Sequence, residues 1–148
     1  MILSELFTKP NEFKIDTESM SEAIYTFKTQ DGREFVVSFG NDGDEWEFVF
    51  MDAEGKMNLT GGGGAVEIFA TVKEIALHFF KKYKPKKPVY FQADNDESSR
   101  VKLYNRAVKM ISPALPGYKT ITSNEGNHKT YLIVPEDSDE WDWRQDAN

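Results

Sequence analysis

Residues 60–83 read TGGGGAVEIFATVKEIALHFFKKY, and this stretch decides the fold. Ala65, Ile68, Phe69, Val72, Ile75, Ala76, Phe79 and Tyr83 recur at three- and four-residue steps, which lines one side of an α-helix. The spacing predicts a helix over 65–83, opened by the glycines at 61–64 and stopped before Pro85, whose ring cannot continue it. Lys81, Lys82, Lys84, Lys86 and Lys87 gather at its carboxyl end, where cations offset the helix dipole. At a rise of ~1.5 Å per residue they stand roughly 25–30 Å from the glycines, too far to serve the same phosphate. His78 falls with Thr71, Glu74 and Lys81 on the polar face, read here as a solvated one. His128 lies in a turn, and two isolated histidines without ligand spacing predict no metal centre.

Upstream of the glycines the period is two. Tyr25 to Thr29 alternates apolar and polar, Asp31-Gly32 offers a hairpin turn, and Phe35, Val37 and Phe39 face one way on the next strand. Asn41-Asp42-Gly43 turns the chain again, and Trp46, Phe48 and Phe50 share a face of a third strand while Glu45 and Glu47 take the other. Glu54-Gly55 leads to a short strand at Met57 to Leu59. Downstream, Val89 to Gln92 is a continuous apolar run suited to the middle of a sheet, expected to run parallel to Met57–Leu59 and to splay from it. Asp94 and Glu97 resemble a capping box, and Val101, Tyr104, Val108 and Ile111 place a second helix over about 97–111. Pro113 and Pro116 end it, and strands at Tyr118–Ser123 and Lys129–Val134 close as a hairpin. The fold class is therefore α+β, with a mixed, mainly antiparallel central sheet, a long helix, a strand, a second helix and a C-terminal hairpin.

At 148 residues, 39% hydrophobic and 14% aromatic, the chain has the size and apolar content of one folded domain. We expect that domain over 1–135, followed by an acidic tail over 136–148. The absence of cysteine removes disulfides, thiolate metal sites and a cysteine nucleophile, and suits a reducing compartment. No apolar run approaches ~18 residues and the start lacks a basic, then apolar leader, so a cytoplasmic protein is expected. Of the net charge of −7, the tail carries −5, from Glu136, Asp137, Asp139, Glu140, Asp142 and Asp146 against Arg144, which leaves about −2 for the body. That balance argues against non-specific nucleic-acid binding and against an anionic membrane surface. Trp141 and Trp143 stand among these acids, either docked on their own domain or acting as aromatic anchors for a protein partner.

Over roughly residues 23–134 this order of elements is similar to the core of the GNAT superfamily of N-acetyltransferases. The run Thr60-Gly61-Gly62-Gly63-Gly64-Ala65 occupies the place of that family's Q/R-x-x-G-x-G/A loop. The segment Arg100-Val101-Lys102-Leu103-Tyr104-Asn105-Arg106, with Gly117-Tyr118 after it, resembles the family's A-x-x-L-Y-x-K-x-G-F stretch. The layout also resembles small acetyltransferase-like proteins encoded by bacteriophages, for which the host cytoplasm or the virion is the expected location. The resemblance implies a cofactor loop at Gly61, Gly62, Gly63, Gly64 and Ala65 for the pyrophosphate of coenzyme A, with Tyr104 as general acid toward the leaving thiolate. Thr60 stands where the family has Gln or Arg, the helices that build part of the acceptor site have no room between Phe13 and Tyr25, and about seven extra residues precede Gly117.

Without the resemblance, four glycines are equally a flexible strand-to-helix connection and Tyr104 equally a core aromatic. Two functions follow. One is a non-catalytic accessory, interaction or structural protein that needs no cofactor and binds a protein through its acidic tail or sheet surface. The alternative is a coenzyme A-dependent N-acyltransferase using acetyl-coenzyme A, with Tyr104 as acid and Glu45 or Glu47 as the base. The absent Gln or Arg and the absent acceptor helices favour the first.

Overall fold

The computed structural model of the chain describes residues 11–52, 65–94 and 98–138. The elements follow one another as β1 (Phe13–Glu18), β2 (Glu22–Lys28), β3 (Glu34–Asn41), β4 (Trp46–Asp52), α1 (Ala65–Tyr83), β5 (Val89–Asp94), α2 (Ser98–Ile111), β6 (Tyr118–Glu125) and β7 (His128–Pro135). The strands make one sheet in the order β1-β2-β3-β4-β5-β7-β6, antiparallel throughout except for β4 beside β5. This is the mixed, mainly antiparallel α+β architecture expected from the sequence. Gly32 at φ +91° and Gly43 at φ +105° make two of the three tight turns of the meander, in backbone that side-chain-bearing residues rarely adopt.

One parallel pair requires a long crossover, and α1 supplies it. The expected parallel partner of β5 was Met57–Leu59, which lies outside the described residues; among the described residues β4, the last strand of the meander, pairs with β5 in parallel. The ladder starts where the Trp46 amide donates to the Pro88 carbonyl at 2.8 Å.

Both helices pack on the same face of the sheet. Phe39 stacks on Phe79 of α1 with centroids 3.8 Å apart, and Tyr104 of α2 meets Phe91 of β5 edge-on. Ile68, Phe69, Val72, Ile75, Ala76 and Phe79, six residues of the predicted stripe, are all buried. No helix among the described residues is long and apolar enough to cross a membrane.

The other side of α1 corrects the sequence reading. Thr71, placed on a solvated face, is fully buried and accepts the Asn11 amide at 2.8 Å while donating to the Glu67 carbonyl. The reason is β1, which lies at the sheet edge beside this face of the helix. A β-bulge between Ile15 and Thr17 shifts the register of β1 against β2. Beyond it Glu18 pairs with Ala23, whose side chain is on the helix side. The bulge thus turns a carboxylate inward that strict alternation would have left facing water.

Candidate functional site

The β4–β5 ladder is two residue pairs long, Trp46 with Val89 and Glu47 with Tyr90. Past that point β4 stays registered on β3 as far as Asp52, and β5 on β7 as far as Asp94, with no ladder described between their facing edges. The strands part because each follows a different neighbour, and sheet twist carries those neighbours apart. The result is a wedge that opens toward the carboxyl ends of both strands, the usual end for ligands in parallel units.

The apex of the wedge has two chemically different sides. On the helix side, Phe48 and Phe91 meet with centroids 5.3 Å apart, above a cavity of about 20 Å³ lined by residues such as Ala76, Phe80, Ala107 and Ile111. That volume holds about one water-sized sphere in an apolar lining, so it is core rather than a binding chamber. On the opposite side, Tyr90 donates to Glu47 at 3.3 Å. Burial, then the charges of Glu47, Glu45 and Asp42, push the Tyr90 hydroxyl up to about 12. Glu45, just before β4, is held above the usual carboxylate range by burial and by Asp42, Asp44 and Glu47. Burial and like charges thus disfavour the ionised form of this carboxyl and make this end of β4 acidic.

The sequence-derived site residues fall as follows. Tyr104 is buried, with its ring edge-on to both Phe91 and Tyr131, next to the first β5 residue beyond the ladder. It is thus the core aromatic of one reading while standing beside the wedge as the other requires. Its neighbour Tyr131 donates to Asn105 Oδ1 at 2.7 Å, and Lys129 Nζ donates to the same oxygen at 3.1 Å. Ala65 opens α1; Gly61, Gly62, Gly63 and Gly64 immediately precede it and lie outside the described residues, as do Trp141 and Trp143. The lysines at 81, 82, 84, 86 and 87 are all exposed. Among the described residues no group of three or more His, Asp or Glu is placed to hold a metal ion.

One polar cluster went unread in the sequence. Glu18 Oε2 accepts the Tyr25 hydroxyl at 2.7 Å and lies 2.9 Å from His78 Nε2, with Lys82 Nζ 3.5 Å from the other oxygen. The side chain of Glu18 is only 12% exposed. Burial alone would raise its pKa, but the Tyr25 and His78 hydrogen bonds and the Lys82 charge together hold it below the usual value. The Phe13, Ile15 alternation was the available signal for β1; the bulge had none.

No protein-family model matches the chain. No curated protein matches it. Two solved structures are similar to it, both chimeras of the spermidine N-acetyltransferase SpeG from Vibrio cholerae and hSSAT, each 12% identical. They cover 79% and 78% of this chain and 68% of their own, with TM-scores of 0.49 and 0.45.

Proposed function

We propose that the chain is a coenzyme A-dependent N-acyltransferase whose thioester substrate lies in the wedge between β4 and β5. The observation that carries this reading is the two-pair ladder, which leaves two strand edges free to receive an extended pantetheine-like chain. In sequence, the connection that carries Gly61–Gly64 leads from the carboxyl end of β4 to the first residue of α1. Backbone amides ahead of a helix N-terminus are suited to a pyrophosphate.

The roles follow from position. Glu45 or Glu47 takes the proton from an amine drawn to the acidic end of β4. The neutral nitrogen attacks the thioester carbonyl, the tetrahedral oxyanion collapses, and the carbon–sulfur bond breaks. Tyr104, beside Phe91, gives its proton to the departing thiolate, and the second proton of the attacking nitrogen passes to solvent, leaving the neutral amide and the free thiol. Titration calorimetry with acetyl-coenzyme A tests the reading: a micromolar Kd is expected, and no heat at millimolar ligand overturns it.

A specific observation favours the second reading, a non-catalytic domain that binds a protein. Ser19–Ser21 joins β1 to β2 directly, where the resemblance implies helices that build part of an acceptor site. With Thr60 in place of Gln or Arg, such a domain would keep the fold and lose the substrate. The same calorimetry separates the two.

A further inference from the structure

The two edges of the sheet are built differently. At one end, the pairing of β1 is interrupted by the bulge between Ile15 and Thr17, and Lys14 and Asp16 stand exposed beside it. Bulges and charges are the usual means of keeping a strand edge from pairing with another chain. At the other end, β6 is matched to β7 from Tyr118 to Glu125 without a shift, and its middle, Thr120 to Asn124, is uncharged and free of proline.

Two hydrogen bonds fix which backbone groups of β6 face outward. The Glu136 amide donates to the Gly117 carbonyl at 2.8 Å, one step beyond the ladder and in its register, so this carbonyl points toward the β7 side. The Tyr118 amide donates to the Leu115 carbonyl at 3.2 Å, away from β7. Directions alternate along an antiparallel pair, so Lys119, Ile121 and Ser123 turn their amides and carbonyls to β7, and Thr120, Thr122 and Asn124 turn theirs away. Among the described residues no strand takes up these outward groups. Thr122 and Asn124 are exposed, and Thr120 is half-buried with its hydroxyl on Ser112.

Charge selects the strand that would do so. Residues 98–134, which carry α2, β6 and β7, hold six bases and one acid, a net of +5. Residues 11–52 of the meander hold eleven acids and three bases, a net of −8. Cations stand on both sides of the β6 end of the sheet. Lys119 pairs with Val134 on the side away from the helices, and Lys129 lies on the helix side, its Nζ on the neutral Asn105 amide and over the Tyr131 ring. Lys102 and Lys109 are exposed on α2. A second copy would bring the same positive half to this edge and be repelled, whereas an acidic strand is attracted.

We propose that the outer edge of β6 accepts an extended acidic segment of another protein as an eighth strand, held by the backbone groups of Thr120, Thr122 and Asn124. This edge lies two strands from Tyr90, so the proposal is independent of the wedge and of acyl transfer.

The test uses the full isotope-labelled chain and a short soluble peptide alternating Glu with Val and Thr, compared with the same peptide carrying Lys for Glu. Amide exchange at Thr120, Thr122 and Asn124, fast in the free chain, should slow roughly tenfold with the Glu peptide, and chemical-shift changes should centre on β6. The Lys peptide should leave both unchanged, and added salt should weaken the Glu peptide. Thr122→Pro removes an outward donor and no bond to β7, so Tm should hold while binding falls roughly tenfold. Lys119→Glu, which spares the backbone, should also weaken the Glu peptide. Equal effects of the two peptides, or shift changes centred on another element, overturn the proposal. Slow exchange of the three amides in the free monomer overturns it in favour of an edge covered by the chain itself. Protection that grows with protein concentration overturns it in favour of a second copy.

Discussion

Glu18 and His78, 60 residues apart, meet at 2.9 Å and fasten the edge strand β1 to the middle of α1. Their contact depends on the bulge that faces Glu18 inward, and Tyr25 and Lys82 complete it. Opposed to the desolvation of the carboxylate, these three partners win, and the folded pKa lies below the ordinary 4.5. A depressed carboxyl contributes stability that is complete above the unfolded value and is lost as pH falls through the folded one. The wild type should therefore lose stability from about pH 4.5 downward more steeply than Glu18→Gln. Denaturant midpoints between pH 7 and pH 3 check this, and parallel curves for the two proteins would contradict it.

Phe79 is fully buried and stacks on Phe39 at an interplanar angle of 5°. Trp46, Phe80 and Tyr83 surround the same ring. Replacing Phe79 with Ala empties a site walled by strands and unable to collapse, so a loss of about 3–5 kcal/mol is expected. Urea unfolding measures it; an unchanged midpoint would mean that this ring is not in the core.

Glu45 sits among like charges, and its carboxyl is raised by burial first and then by Asp42, Asp44 and Glu47. The ionised form is thus disfavoured in the folded state. Glu45→Gln should stabilise the domain slightly at neutral pH, by a few tenths of a kcal/mol, a benefit that disappears as the pH is lowered and the wild-type carboxyl protonates. If the carboxylate takes the proton of the amine, the same variant should lose 10²-fold or more in turnover. Greater stability with undiminished activity would assign the base to Glu47.

The glycine connection separates the two functional readings. If the glycine connection holds a pyrophosphate as proposed, Gly63→Val puts a β-branched side chain in its way, and acetyl-coenzyme A binding should fall at least tenfold with Tm nearly unchanged. Tyr104→Phe should slow turnover without weakening binding. Equal affinity of wild type and Gly63→Val would place the ligand elsewhere.

Local pattern determined much of this protein. The apolar stripe from Ile68 to Phe79 fixed α1 and its buried side, because a 3.6-residue period has only one way to face a core. The turns at Gly32 and Gly43 fixed the hairpins, since positive φ falls to glycine at least cost. The sequence could also point to Tyr104 as an aromatic of the core. What it could not contain was pairing at a distance. That β4 joins β5, and that the two part after Glu47 and Tyr90, depends on how β3 and β7 twist away from each other. Thr71 looks solvated on a helical wheel and is buried only because β1 returns to it, and the same strand half-covers His78. Glu18 looks like a surface acid until one extra residue reverses its side of the strand. Periodicity records which side of an element is apolar; which element covers the polar side, and in what register, is decided by contacts that the chain makes only when folded.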